Sequence, residues 1–114
     1  MKRVYIAGPY SANNVLTVFS NMQKGMRMAT ELMLKGYAVF CPWWDYHAFL
    51  QLRDNEEISL EVIQKHSIMW LEVSDCILVL PNHHQSKGTL AEIARAEELN
   101  IPVYYSMEEL EQCK

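Results

Sequence analysis

The run Cys76-Ile77-Leu78-Val79-Leu80 is apolar at every position. A strand with one wet face would alternate, so this one should be covered on both faces, as strands of parallel sheets are. The rest of the chain supplies matching pieces. Val4 to Ala7 is a short apolar run that stops at the turn signal Gly8-Pro9. Val15, Phe19, Met22, Met26, Ala29 and Met33 recur at spacings of three and four, one face of a helix that should end at Lys35-Gly36. Tyr37 to Cys41 reads as a second strand closed by Pro42. Trp43 to Glu57 is irregular, aromatic, and long enough to be functional or to hold a short helix of its own. Ile58 to Val73 reads as a helix carrying Ile63, Trp70 and Leu71, and Thr89 to Leu99 as another. Val103 to Tyr105 reads as a last strand, and Met107 to Gln112 as a short acidic helix. This alternation predicts an α/β fold: a parallel sheet of about four strands, with helices on both faces and right-handed crossovers.

The 114 residues suit one domain, 1–114. The net charge is −4 and no basic stripe appears, so duplex nucleic acid is not an expected partner. Cys41, Cys76 and Cys113 are odd in number, widely spaced and without a CxxC, which argues against a disulfide framework or a zinc cluster. Free buried thiols and a cytoplasmic location are the expectation. MKRVYIAGPYS reads as a first strand, not a signal peptide, and no stretch approaches the roughly 18 apolar residues of a membrane span.

Open parallel sheets bind ligands beyond the strand C-termini, where strand order reverses. If the third strand lies beside the first, Gly8-Pro9-Tyr10-Ser11 and Pro81 to Gly88 face one crevice, bordered by Trp43-Trp44-Asp45-Tyr46-His47. Gln85-Ser86-Lys87-Gly88 opens a helix, whose free N–H groups and dipole attract anions. Ser86 adds a hydroxyl and Lys87 a charge, so a phosphate fits, as does a plain turn. The stretch is neither a P-loop nor GxGxxG. Thr89-Leu-Ala-Glu92 matches a capping box, with Glu92 in the first turn. A carboxylate at the mouth of the crevice could instead attack a sugar. Local pattern leaves both roles open. Trp43, Trp44 and Tyr46 are either stacking surfaces for a base or core, and Asp45 either orients a ligand or caps a turn. Asp75 precedes its strand, at the end away from the crevice, and reads as structural. His83-His84 lacks partners at ligand spacing, so neither a metal nor another cofactor is expected.

VYIAGPYS, SDCILVLP and SKGTLAEIARAEELNIPVYY, in that order and spacing, resemble the nucleoside 2-deoxyribosyltransferase superfamily. The resemblance spans nearly the whole chain, weakest over about 43–66, and is nearest to short members such as the 5-hydroxymethyl-dUMP N-hydrolases. It implies a flavodoxin-like, Rossmann-like domain that cleaves the N-glycosidic bond of a deoxynucleoside or its 5'-monophosphate. The sugar would pass to water or another base, and the protein would be a homo-oligomer, a dimer or larger. By the same resemblance Glu92 is the nucleophile, Tyr5 its hydrogen-bond partner, and Ser86 with Gly88 the phosphate grip. Gly8, Pro9, Tyr10 and Ser11 complete the pocket, with Pro9 standing where the hydrolases carry a serine.

One position departs from the pattern. Family members usually carry an aspartate eight residues before the one matching Asp75, and here that position is Ser67. A serine is no general acid near neutral pH. His66 has suitable chemistry, but one step along a helix turns it about 100° away. Asp45 is the other candidate substitute. The alternative function is a catalytically inactive nucleotide-binding or sensor module of the same fold.

Overall fold

The computed structural model describes residues 1–81 and 86–112. His83, His84, Gln85 and Cys113 lie outside the described residues. The elements in chain order are β1 (Arg3–Ala7), α1 (Val15–Leu34), β2 (Ala38–Phe40), a 3-10 turn (Pro42–Asp45), α2 (Tyr46–Phe49) and α3 (Leu60–Glu72). β3 (Cys76–Val79), α4 (Lys87–Glu98), β4 (Val103–Tyr104) and α5 (Met107–Gln112) follow. The strands form one sheet in the order β2-β1-β3-β4, parallel at every pairing. The expected α/β architecture of four parallel strands is the one observed.

Both faces of the sheet are covered. Val4, Ile6, Cys76 and Leu78 pack with Met22, Ala29 and Leu32 of α1 and Leu110 of α5. Their neighbours in the strands, Tyr5, Ala7, Ile77 and Val79, point the other way, onto Leu71 of α3 and Ile93 and Ala96 of α4. This is the period-two alternation of strands, and it explains why β3 has no polar residue: both of its faces are core.

α1 starts at Asn14, whose side chain accepts the Thr17 N–H at 2.9 Å. It ends at Lys35, and Gly36 takes φ +94°, the left-handed conformation that glycine adopts at little cost. Its buried stripe is Met22, Gly25, Ala29 and Leu32. Val15, Phe19 and Met33, assigned to the apolar face by spacing, are exposed. For Val15 and Phe19 the reason is length: the 20-residue helix runs about 30 Å, whereas the five-residue β1 runs about 17 Å, so the first turns of α1 overhang the sheet. Met33 instead lies about 100° round the helix from the fully buried Leu32, outside the stripe that faces the sheet.

The segment after β2 is not irregular throughout. Pro42 opens the 3-10 turn and α2 follows directly. Trp43 is core, 1% exposed, while Trp44 and Tyr46 remain on the surface, so only those two keep a face for a ligand. Trp43 lies on Gly25, where a Cβ would stand 2.3 Å from its ring, so the glycine in mid-helix is the seat of the indole.

Candidate active site

β1 lies between β2 and β3, so the chain reverses its direction of travel across the sheet at β1 and β3. The segments leaving those two strands therefore border one crevice, as the topology rule requires. Leu80 N–H donates to the Ala7 carbonyl at 2.9 Å and holds the two strand ends together there. α4 rises from this end of the sheet.

α4 starts two residues before Thr89. Ser86 is the N-cap, and its hydroxyl oxygen accepts the Thr89 N–H at 3.2 Å and the Thr89 hydroxyl at 3.0 Å. The capping box of Thr89 and Glu92 is therefore not formed, because the helix is already running at Thr89. Glu92 stands in the second turn, on the side that faces β1, and the first turn carries no acidic residue. The sequence motif misled because Ser-x-x-Thr and Thr-x-x-Glu overlap, and only the backbone decides which pair sits at the helix start.

Freed from capping, the Glu92 carboxylate accepts a hydrogen bond from the Tyr5 hydroxyl. Tyr5 is fully buried, and its ring stacks on Phe40 of β2 with centroids 5.2 Å apart. Burial pushes the Glu92 carboxyl up to about 7 from the ordinary 4.5, with the Tyr5 hydroxyl pulling the other way. Burial, then the charge and hydrogen bond of Glu92, hold the Tyr5 phenol well above its usual range, so the proton stays on tyrosine. The pair is thus a phenol donor fixed on a carboxyl that changes charge near neutrality.

Ser67 of α3 is buried beside the same phenol, where it favours the phenolate without outweighing the burial. His66, one residue away, lies over Phe40 at 6.1 Å, and Trp70 stacks on the outer side of Phe40 at 5.9 Å. Asp45 ends the 3-10 turn and is partly buried. Its carboxyl is raised by that burial and opposed by His66, and its charge reaches Tyr5, Tyr10 and Cys41.

The first loop behaves less uniformly. A Cβ on Gly8 would stand 2.9 Å from Leu80 and 3.1 Å from Trp43, so packing within the fold accounts for that glycine. The Pro9 carbonyl accepts the Trp43 indole N–H at 3.3 Å. The Tyr10 hydroxyl is buried and has no hydrogen-bond partner among the described residues, and Ser11 is exposed. Gly88 is the opposite of Gly8: a Cβ there would meet only the Ser86 hydroxyl, at 3.9 Å. Asp75, at the far end of the sheet, accepts the Arg3 N–H at 2.7 Å and is structural, as its position suggests.

A groove of about 460 Å³ runs along Phe40, His66, Trp70 and Val73, and one of about 630 Å³ lies between α1 and Pro81. Neither is lined by Glu92. Among the described residues no group of three His, Cys, Asp or Glu side chains could hold a metal, and no helix is long and apolar enough to cross a membrane.

The fold has solved relatives. A 2-deoxyribosyltransferase from the psychrotolerant bacterium Bacillus psychrosaccharolyticus superposes with a TM-score of 0.63 at 20% identity, covering 89% of this chain and 69% of its own. A conserved protein from Enterococcus faecalis V583 superposes with a TM-score of 0.60 at 19% identity, covering 90% of this chain and 61% of its own. This likeness establishes a shared fold. No curated protein sequence matches the chain. Residues 2–106 match the family described as a domain of unknown function (DUF7768), and the chain belongs to that family.

Proposed function

We propose that this protein cleaves the N-glycosidic bond of a deoxynucleoside or deoxynucleoside 5'-monophosphate, with Glu92 as nucleophile. The observation that carries the proposal is the Tyr5–Glu92 pair at the crevice where strand order reverses. The fold shared with a 2-deoxyribosyltransferase supports it. Breaking the bond builds positive character at C1' of the sugar. The Glu92 carboxylate stabilises that charge and bonds to C1', while the electron pair of the C1'–N bond leaves with the base. Water or a second base then attacks C1' and frees Glu92.

Tyr5 fixes one carboxylate oxygen and leaves the other for the sugar. Ser86 and Gly88 hold the 5'-phosphate. Ser86 accepts two hydrogen bonds through its oxygen, so its own proton remains available to donate outward. The open space at Gly88 lets a phosphate approach the backbone N–H closely. That grip supplies remote binding energy to position C1'. Gly8, Pro9, Tyr10 and Ser11 form the adjoining wall, with the Tyr10 hydroxyl as a further polar contact. The active form is a homo-oligomer that covers the overhanging apolar turns of α1.

The test is chromatography of free base released from a panel of deoxynucleosides and their 5'-monophosphates, with an acceptor base present and absent. Glu92→Gln should abolish the release without loss of fold. Release that survives the substitution removes Glu92 as nucleophile. Ser67 favours a second function, a nucleotide-binding module without catalysis, because a buried serine stands where the resemblance to the deoxyribosyltransferase superfamily implies an aspartate. That module would bind a nucleotide and release nothing.

A further inference from the structure

If the protein is the glycosidase proposed above, Glu92 must stand at a fixed distance from C1', since a misplacement of about 1 Å can cost about 10²-fold in rate. That distance depends on the roll of α4 about its own axis. The buried stripe of α4 is narrow, made of Thr89, Ile93 and Ala96, and two of the three are small. Glu92 and Arg95 each precede a stripe residue by one position. Both therefore lie on the same flank of the helix, one turn apart and about 60° from each other. A roll that withdraws Glu92 from Tyr5 carries Arg95 with it.

Arg95 is tied down. Its Nε and Nη2 both donate to one carboxylate oxygen of Glu72, at 2.9 and 2.7 Å, and its Nη1 donates to Glu98 at 3.1 Å. All three guanidinium nitrogens are engaged, so the plane of the group is set as well as its position. Glu98 belongs to α4 and turns with it, whereas Glu72 is the last residue of α3. Its neighbour Leu71 is fully buried, in the same cluster as Ile93 and Ala96, and this anchors the Glu72 backbone. The two side chains are 36% and 29% exposed, so water screens the pair and its worth to global stability is small. Holding a roll angle requires direction more than free energy.

We propose that Arg95 and Glu72 form a clamp between α3 and α4 that sets the roll of α4 and so keeps the Glu92 carboxyl on the Tyr5 hydroxyl. Both are positioning residues, with no part in the chemistry at C1'. The clamp acts through placement: burial and the Tyr5 phenol are what shift the Glu92 carboxyl, and the Arg95 charge is not among the causes.

The experiment compares wild type with Arg95→Gln, Glu72→Gln and the double variant. Glu92 is titrated by carbon-13 NMR, and kcat and KM for base release are measured above that titration, where Glu92 is ionised throughout. Released from the clamp, the carboxyl gains water and loses the larger of its two influences, so its midpoint should fall from about 7 toward 4.5. Loss of the positive charge alone would raise the midpoint in Arg95→Gln, so the sign separates placement from charge. In the single variants kcat should fall about tenfold or more, with KM within a few-fold. The double variant should be no worse than either single one, because the pair acts as a unit. Arg95→Lys, which keeps the charge and loses the fork, should follow Arg95→Gln. An unchanged or raised Glu92 midpoint in Arg95→Gln, a kcat close to that of wild type, or additive losses in the double variant overturns the clamp. If wild type releases no base from any nucleotide, the glycosidase function falls, and the titration by itself then decides the clamp.

Discussion

Glu92 shows how one side chain acquires a role that its sequence neighbours do not reveal. Its partner Tyr5 is 87 positions away, and the two meet only when α4 packs on β1. Two opposing effects set the carboxyl, burial raising it and the phenol lowering it, with burial the larger. Tyr5→Phe removes the lowering influence and leaves the burial. The Glu92 carboxyl should then titrate above about 7, by on the order of one pH unit, since a hydrogen bond to a charged group contributes about 1.5 to 3 kcal/mol. Carbon-13 NMR of labelled glutamate across pH reads this directly. Because less carboxylate is present at pH 7, base release there should fall several-fold. An unchanged titration would mean that the phenol does not hold the carboxylate. Tyr5 itself was legible as a strand residue from its place in the Val4 to Ala7 run, and as the partner of Glu92 only through the family resemblance, whereas Ser67 beside its phenol was not legible at all.

Among the elements, α4 is where sequence and structure part most clearly. Its apolar spacing located the helix, but its start depends on which hydroxyl caps it, and Ser86 does so in place of Thr89. That difference moves Glu92 from a capping position into the second turn. Gly88 now sits in the first turn, where nothing in the fold demands glycine. Gly88→Ala should therefore stabilise the protein slightly, by about 0.5 kcal/mol from helix propensity. It should also raise KM for a 5'-monophosphate while leaving the unphosphorylated nucleoside unaffected. Denaturant unfolding and paired kinetics test the two halves, and equal KM values for wild type and variant would place the phosphate elsewhere. Gly25 presents the opposite case. A methyl group there would strike Trp43 and cost about 1 to 3 kcal/mol through overpacking, and helix periodicity gave no sign of it.

The whole molecule is a small sheet under helices longer than itself. Val15, Leu16 and Phe19 on α1, and Leu60, Val62, Met69, Trp70 and Val73 on or beside α3, remain exposed. Apolar surface on this scale is typical of an interface between chains. The homo-oligomer proposed above should appear by light scattering after size exclusion as a mass at least twice that of the chain. Leu16→Asp should weaken the association, by placing a charge on the overhanging turn. A monomer at tens of micromolar would sink the proposal and leave the site to be completed by this chain alone.

Local pattern determined the architecture. A strand apolar throughout, helices with a three-and-four spacing, and glycine or proline at the breaks admit few arrangements other than a covered parallel sheet. These signals are local because secondary structure is built from contacts a few residues apart. Tertiary structure brought together wide-spaced groups that no local pattern pairs: Tyr5 with Glu92, which only the family resemblance had paired, and Trp43 with Gly25 and Pro9. It also decided which of the apolar residues on α1 are core, because burial depends on which turns of a helix lie over its sheet and which side of them faces it. Contacts between distant positions follow from strand order and helix placement, and no window of sequence contains them.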